Sequence, residues 1–204
     1  LGERTLYLDA TSQDYRYPAF RDDDHGAYAI NFITGRHRLI PVPPGLEASG
    51  KEARDEMTLA ADGTLTVHSH NTYTGAYEAN LRANWKRVPA EARRPMMQQY
   101  LNGMAPGAEL VDFELGPPQD LSRPFYLDYH YRLPDYAVAA GPYRLFQFPE
   151  RELEFPELSL ETRRYPLVYA TTAGARRRAE VELAPSLTAV ELPADYERAG
   201  RHLH

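Results

Sequence analysis

Cysteine is absent from all 204 residues. That excludes a disulfide framework, a cysteine nucleophile, a thiolate zinc site and an iron–sulfur cluster within this chain. Long apolar runs are missing too. No stretch approaches the roughly 18 residues of a membrane span, and Leu1 does not open a signal peptide. Basic residues are outnumbered, 23 Lys and Arg against 29 Asp and Glu, for a net charge of −6. A phosphate-binding surface is therefore not expected, nor is nucleic acid as a partner. The one local exception, Arg176 to Arg178, reads as the solvated end of a hairpin. Because the sequence opens on neither methionine nor a targeting segment, it is expected to be part of a longer protein.

Tyrosine and proline are plentiful, 15 and 17 residues, and with short alternating segments they favour strands and turns over helices. The length allows one large β domain or two smaller units, and suffices for a real core. Residues 4–9, "RTLYLD", read as a strand that ends on Asp9; a polar loop follows over 12–26, then short strands "AYAINF" and "RHRLIPVP". The Pro- and Gly-rich stretch between Pro41 and Glu56 is a boundary candidate. Beyond it, "DEMTLAADGTLTVHSHNTY" holds two alternating runs around an Asp-Gly turn, a hairpin signal. In the second run Leu65, Val67, Ser69 and Tyr73 face the core; Thr64, Thr66, His68, His70 and Thr72 face outward.

The period then lengthens. Tyr77, Leu81, Trp85 and Val88 recur at helical spacing after a capping Thr74, and a second helix starts at Pro89 and stops near Gly103, with Pro95 kinking or delaying it. Helices are thus expected near 75–88 and 89–104. Strands are expected over 109–115, 124–133, 141–149, 163–170, 179–184 and 187–193. In the second of these Phe125, Leu127, Tyr129 and Tyr131 alternate with Tyr126, Asp128, His130 and Arg132. The spacing predicts a mainly β fold, an antiparallel β-sandwich-like domain of two facing sheets with two helices.

Four constellations could carry chemistry. "RDDDHG" at 21–26 sets three carboxylates beside an imidazole, yet neighbouring side chains in a loop diverge, and a solvated acidic turn is the plainer reading. "HSH" at 68–70 puts two imidazoles on one strand face about 7 Å apart. They could share a metal only with a third ligand from elsewhere, so an exposed outer face is expected. The tyrosine-rich strands fit either an aromatic platform for sugars or peptides, or ordinary sheet rims. No serine lies in a Gly-x-Ser-x-Gly elbow, so Ser69 and Ser159 are weak nucleophile candidates. No metal or cofactor is assigned.

The order of motifs adds to this. "YLDAT", "HGAYAINF", a proline-rich crossing, "LAADGTLTVHSHNTYTGAYEANLR", "RPFYLDYHYRLPDYA", "RRYPLVY" and "VELAPSLTAVELP" together resemble the C-terminal part of bacterial transglutaminase-like proteins. The resemblance implies that residues 1–50 are trailing strands of a transglutaminase-like core and 51–204 the β-rich domain of unknown function that follows it. That superfamily uses a Cys-His-Asp triad. Only the acid carries over, onto Asp9; the cysteine and histidine would lie upstream. The alternative for Asp9 is a strand-end acid whose turn is closed by Thr11 or Ser12. The resemblance further implies a periplasmic or secreted setting. The chain is then a non-catalytic accessory portion of a cysteine protease, amidase or transglutaminase acting on peptide amides. Its partners would be the upstream core of the same chain and a peptide or protein substrate. A carbohydrate- or peptide-binding module and a structural domain of the envelope are the other two classes.

Overall fold

Residues 7, 9–43, 45–149, 162, 164, 173–192 and 194–195 are described by the computed structural model. A single 3-10 turn at Asp22–Asp24 leads into a small hairpin, β1 (Tyr28–Ile30) with β2 (His37–Leu39), and a one-turn helix α1 (Gly45–Ala48). Alternation and the Asp-Gly turn then produce the longest hairpin. Its arms, β3 (Ser49–Leu59) and β4 (Leu65–Thr74), pair antiparallel from Gly50↔Thr74 to Leu59↔Leu65. Gly63 closes the turn at φ +94°, its N–H donating to the Ala60 carbonyl at 3.0 Å. β3 thus begins inside the stretch that reads as a linker.

β4 passes without a loop into α2 (Gly75–Lys86), and α3 (Ala90–Met104) follows. The switch from strand to helix needs Gly75: its φ is +57°, and a Cβ there would stand 1.9 Å from the Ala48 carbonyl oxygen. Thr74 does not cap α2 with its side chain; its hydroxyl donates to the Leu46 carbonyl and ties α1 to the sheet. α3 runs through Pro95. Next come β5 (Glu109–Leu115), β6 (Tyr126–Leu133), the short pair β7 (Val138–Ala140) and β8 (Tyr143–Leu145), and β9 (Gly174–Leu183).

Five strands make one sheet in the order β5-β6-β4-β3-β9. Four pair antiparallel, while β9 lies parallel to β3 from Gly50↔Gly174 to Leu59↔Leu183. The protein is mainly β with two substantial helices, as the sequence pattern indicates. Among the described residues, however, the layer over the sheet is made by α2 and α3, which lie against β3, β4 and β5, where the pattern suggested a second sheet. The reason is local: one helical face of apolar residues covers the sheet's inner face as well as a second sheet would. That inner face buries Leu65, Val67, Phe125, Tyr131 and Leu133 against Met97 and Leu101, each such side chain contributing about 1.5–3 kcal/mol.

Other expectations shift. The basic run Arg176 to Arg178 lies within β9, not at a hairpin end, and each arginine meets an acid: Glu52, Asp55 and Glu180. Residues 187–192 form no strand, and the strand expected over 141–149 shrinks to Tyr143–Leu145. The strand expected over 163–170 falls, Arg164 apart, outside the described residues, as do most of residues 4–9 and Ser159. In α2 the buried residues include Ala76, Ala79, Arg82 and Trp85. The expected stripe of Tyr77, Leu81 and Val88 instead edges a cleft between the two helices. Among the described residues no helix is long and apolar enough to cross a membrane.

Candidate functional site: an outward His-Asp array and the Asp9 turn

A strand of period two that buries Leu65, Val67, Ser69 and Asn71 must present Thr66, His68, His70 and Thr72 on its other side, and it does. Antiparallel pairing then decides what meets the histidines. His68 lies directly opposite His130 of β6 and Glu56 of β3, and His70 opposite Asp128. Their rings and carboxylates converge. Asp128 receives His68 Nε2 on one oxygen and His70 Nδ1 on the other, both at 2.9 Å. The imidazoles of His68 and His130 stack with centroids 4.0 Å apart. Burial by itself would raise the Asp128 carboxyl, but the hydrogen bonds from His70 and His68 outweigh it and hold the group below its ordinary value.

A fourth residue reaches the array through an irregularity. Strict alternation from buried Leu110 would turn Asp112 inward. A β-bulge between Leu110 and Asp112 shifts the register, so Asp112 faces outward opposite His130. His130 Nδ1 meets Asp112 Oδ1 at 2.6 Å. One row across the whole sheet therefore reads Asp112, His130, His68, Glu56 and Glu180. The "HSH" pair was legible in the sequence, whereas Asp128 and His130 registered there only as members of one alternating set of their strand. The bulge has a trace too: Leu110, Phe113 and Leu115 break the spacing of two.

Asp9 sits elsewhere, in a tight turn. Its Oδ1 accepts the Thr11 N–H at 2.8 Å and the Thr11 hydroxyl at 2.7 Å, and these bonds hold its carboxyl below the usual range. Its Oδ2 is shielded from solvent without a hydrogen-bond partner among the described residues, and so is Nδ1 of His25; neither is the other's partner. No family model matches this sequence, and no curated protein matches it. The turn is anchored downstream, where Asp14 pairs with Lys86 at 2.5 Å and Arg16 with buried Glu78 at 3.1 Å, both on α2.

The remaining candidates settle more simply. In "RDDDHG", Asp23 pairs with Arg21, and Asp22 accepts the Tyr15 hydroxyl at 3.0 Å, so two of the three carboxylates are spent on local contacts. Ser69 donates to Asp55 at 2.5 Å inside the core, where Arg177 also holds that carboxylate. No histidine joins them among the described residues, which leaves Ser69 without a base. The tyrosines divide: Tyr73, Tyr129 and Tyr131 are buried, while Tyr77 and Tyr100 are half exposed beside the cleft between α2 and α3.

Proposed function

We propose that this chain is the non-catalytic accessory portion of a transglutaminase-like protein of the bacterial envelope, holding the orienting acid of a Cys-His-Asp site built with an upstream core. The chain has no cysteine, so it cannot supply the nucleophile. The observation that carries the reading is the division of labour at Asp9. One oxygen is fixed by Thr11 while the other stays shielded and unclaimed among the described residues. A carboxylate that orients a catalytic histidine needs one oxygen pinned and a second with no other hydrogen bond, left to accept an imidazole N–H. The ion pairs of Asp14 and Arg16 with α2 support a scaffolding role, since they fix the segment after Asp9 to the β domain.

The experiment compares this chain with a longer one carrying the adjoining upstream core, on peptide-amide hydrolysis and transamidation. The 204-residue chain is expected to be inert, and the longer chain active. Asp9→Asn in the longer chain should lower kcat about ten-thousandfold with folding retained. Activity within twofold of the parent, or an upstream region without cysteine and histidine, overturns the reading.

A peptide- or carbohydrate-binding module is the second reading, and one observation favours it. The cleft between α2 and α3, about 470 Å³, is lined by Tyr73, Tyr77, Leu81, Trp85, Met96 and Tyr100. Trp85 is the only tryptophan, so its fluorescence reports on the cleft alone. Titration with oligosaccharides and unstructured peptides should then shift its emission saturably, and Tyr77→Ala should abolish the shift; an unchanged spectrum throughout removes this reading.

A further inference from the structure

Three side chains of metal-ligating type converge on the outer face of the sheet, apart from the Asp9 turn. Donor atoms of His68, Asp128 and His130 all lie within 4.8 Å of one another. Two imidazoles and one carboxylate form a donor set suited to zinc and neighbouring first-row ions, with metal–ligand bonds of about 2.0–2.2 Å. Bonds of that length set ligand atoms about 3.3–3.5 Å apart, so the side chains must turn inward from their present spacing to share one ion. The residues stand on adjacent strands in fixed register, so the backbone is organised before an ion arrives.

The surroundings carry the argument further. A metal-bound histidine commonly passes its other ring N–H to a carboxylate, which fixes the ring and strengthens the ligand nitrogen. His130 has that partner: Nδ1 meets Asp112 at 2.6 Å, leaving Nε2 for an ion. Asp112 reaches this position only through the bulge in β5. His70 holds the second oxygen of Asp128 at 2.9 Å and orients the carboxylate in the same way. Glu56 stands behind His68, its Oε2 3.9 Å from Nδ1. Two of the three ligands thus have a hydrogen-bonded supporting group, and a carboxylate lies near the third. The site is only partly covered, with side-chain exposures of 36% for His68, 27% for Asp128 and 39% for His130, so water or a ligand has room to complete the coordination.

We infer that His68, Asp128 and His130 bind one zinc-type divalent cation, with Asp112 and His70 as positioning residues. The ion takes the place of the hydrogen bond between His68 Nε2 and Asp128, and the neutral imidazole then carries its proton on Nδ1, on the side of Glu56. Isothermal titration of the full 204-residue chain with zinc chloride, after treatment with a chelator, tests this. One equivalent should bind saturably in the micromolar range. His68→Gln and His130→Gln should each weaken binding at least about tenfold, and Asp112→Asn by about 10–100-fold. All three are outward-facing positions, so far-ultraviolet circular dichroism should show the fold retained. The double variant His202→Gln, His204→Gln, in the C-terminal tail, should bind as the parent does. No saturable binding overturns the inference, and so does binding that follows His202 and His204 instead of His68 and His130.

Discussion

Arg82→Ala should cost about 3–5 kcal/mol of stability, a large part of what a domain of this size has. Arg82 has no solvent exposure. Its Nε and Nη2 donate to Glu78 Oε1 at 3.0 and 2.7 Å, and its Nη1 meets the carbonyls of Pro117, Pro118 and Asp120 at 3.1, 3.2 and 2.9 Å. The guanidinium also lies 5.5 Å from the Phe125 ring centroid. One side chain thereby pins the β5–β6 connection to α2. Glu78 is equally committed, accepting the Phe125 N–H at 3.1 Å as well as Arg16. Removing the guanidinium orphans several buried carbonyls and leaves a buried carboxylate with only the partly exposed Arg16. Lysine cannot restore the planar fork, so Arg82→Lys should recover only part of the loss. Urea unfolding of the three proteins measures this; a loss under about 1 kcal/mol for Arg82→Ala would show that the network is not what holds the connection.

Alkaline pH should unfold the protein through its buried tyrosines. Burial raises the hydroxyl pKa of Tyr73 and Tyr131 well above the ordinary value of 10.0, and raises that of Tyr129 as well. The folded state therefore keeps three protons that the unfolded chain releases. Stability from this source is complete below about pH 10 and falls as pH rises above it, since the unfolded state then binds fewer protons. Each group contributes a slope of at most about 1.4 kcal/mol per pH unit, and three give at most about 4. A cooperative loss of structure is expected between about pH 11 and 13. Tyr15 is also expected to titrate late, pushed up to about 12 by partial burial and its hydrogen bond to Asp22. Tyrosinate absorbance recorded with circular dichroism should show the exposed tyrosines ionising first and the buried ones together with unfolding. Tyr131→Phe keeps the ring and removes one proton, so the slope should drop by about a third. Ionisation of all 15 tyrosines near pH 10 with structure intact would overturn this account.

Both results depend on residues whose weight the sequence conceals. Arg82 lies inside a run, "EANLRANWK", whose obvious feature is the aromatic and leucine spacing, and nothing there marks an arginine as buried. That spacing falls partly at the cleft, because α2 needs small Ala76 and Ala79 where it approaches the sheet closely. Tyr129 and Tyr131 were legible as sharing one face of their strand, but not as the buried one. His68 and His70 were legible as outward from alternation alone. Their neighbours were not, since Asp128 is 58 residues from His70 and Asp112 arrives through a bulge.

By itself the sequence determined the local terms: which side chains share a strand face, where the Asp-Gly turn reverses the chain, where helices replace strands, and that no thiol chemistry is possible here. Those follow from backbone periodicity, turn chemistry and composition, which act over a few residues. Tertiary structure alone decided that β9 pairs parallel with β3 and carries its three arginines to acids of the sheet. It likewise decided that helices cover the inner face, that Arg82 closes the β5–β6 connection, and that the second histidine-bearing strand lies beside the first. Strand order and register are set by burial and pairing between distant segments, and side-chain period is the same whichever strand becomes the neighbour.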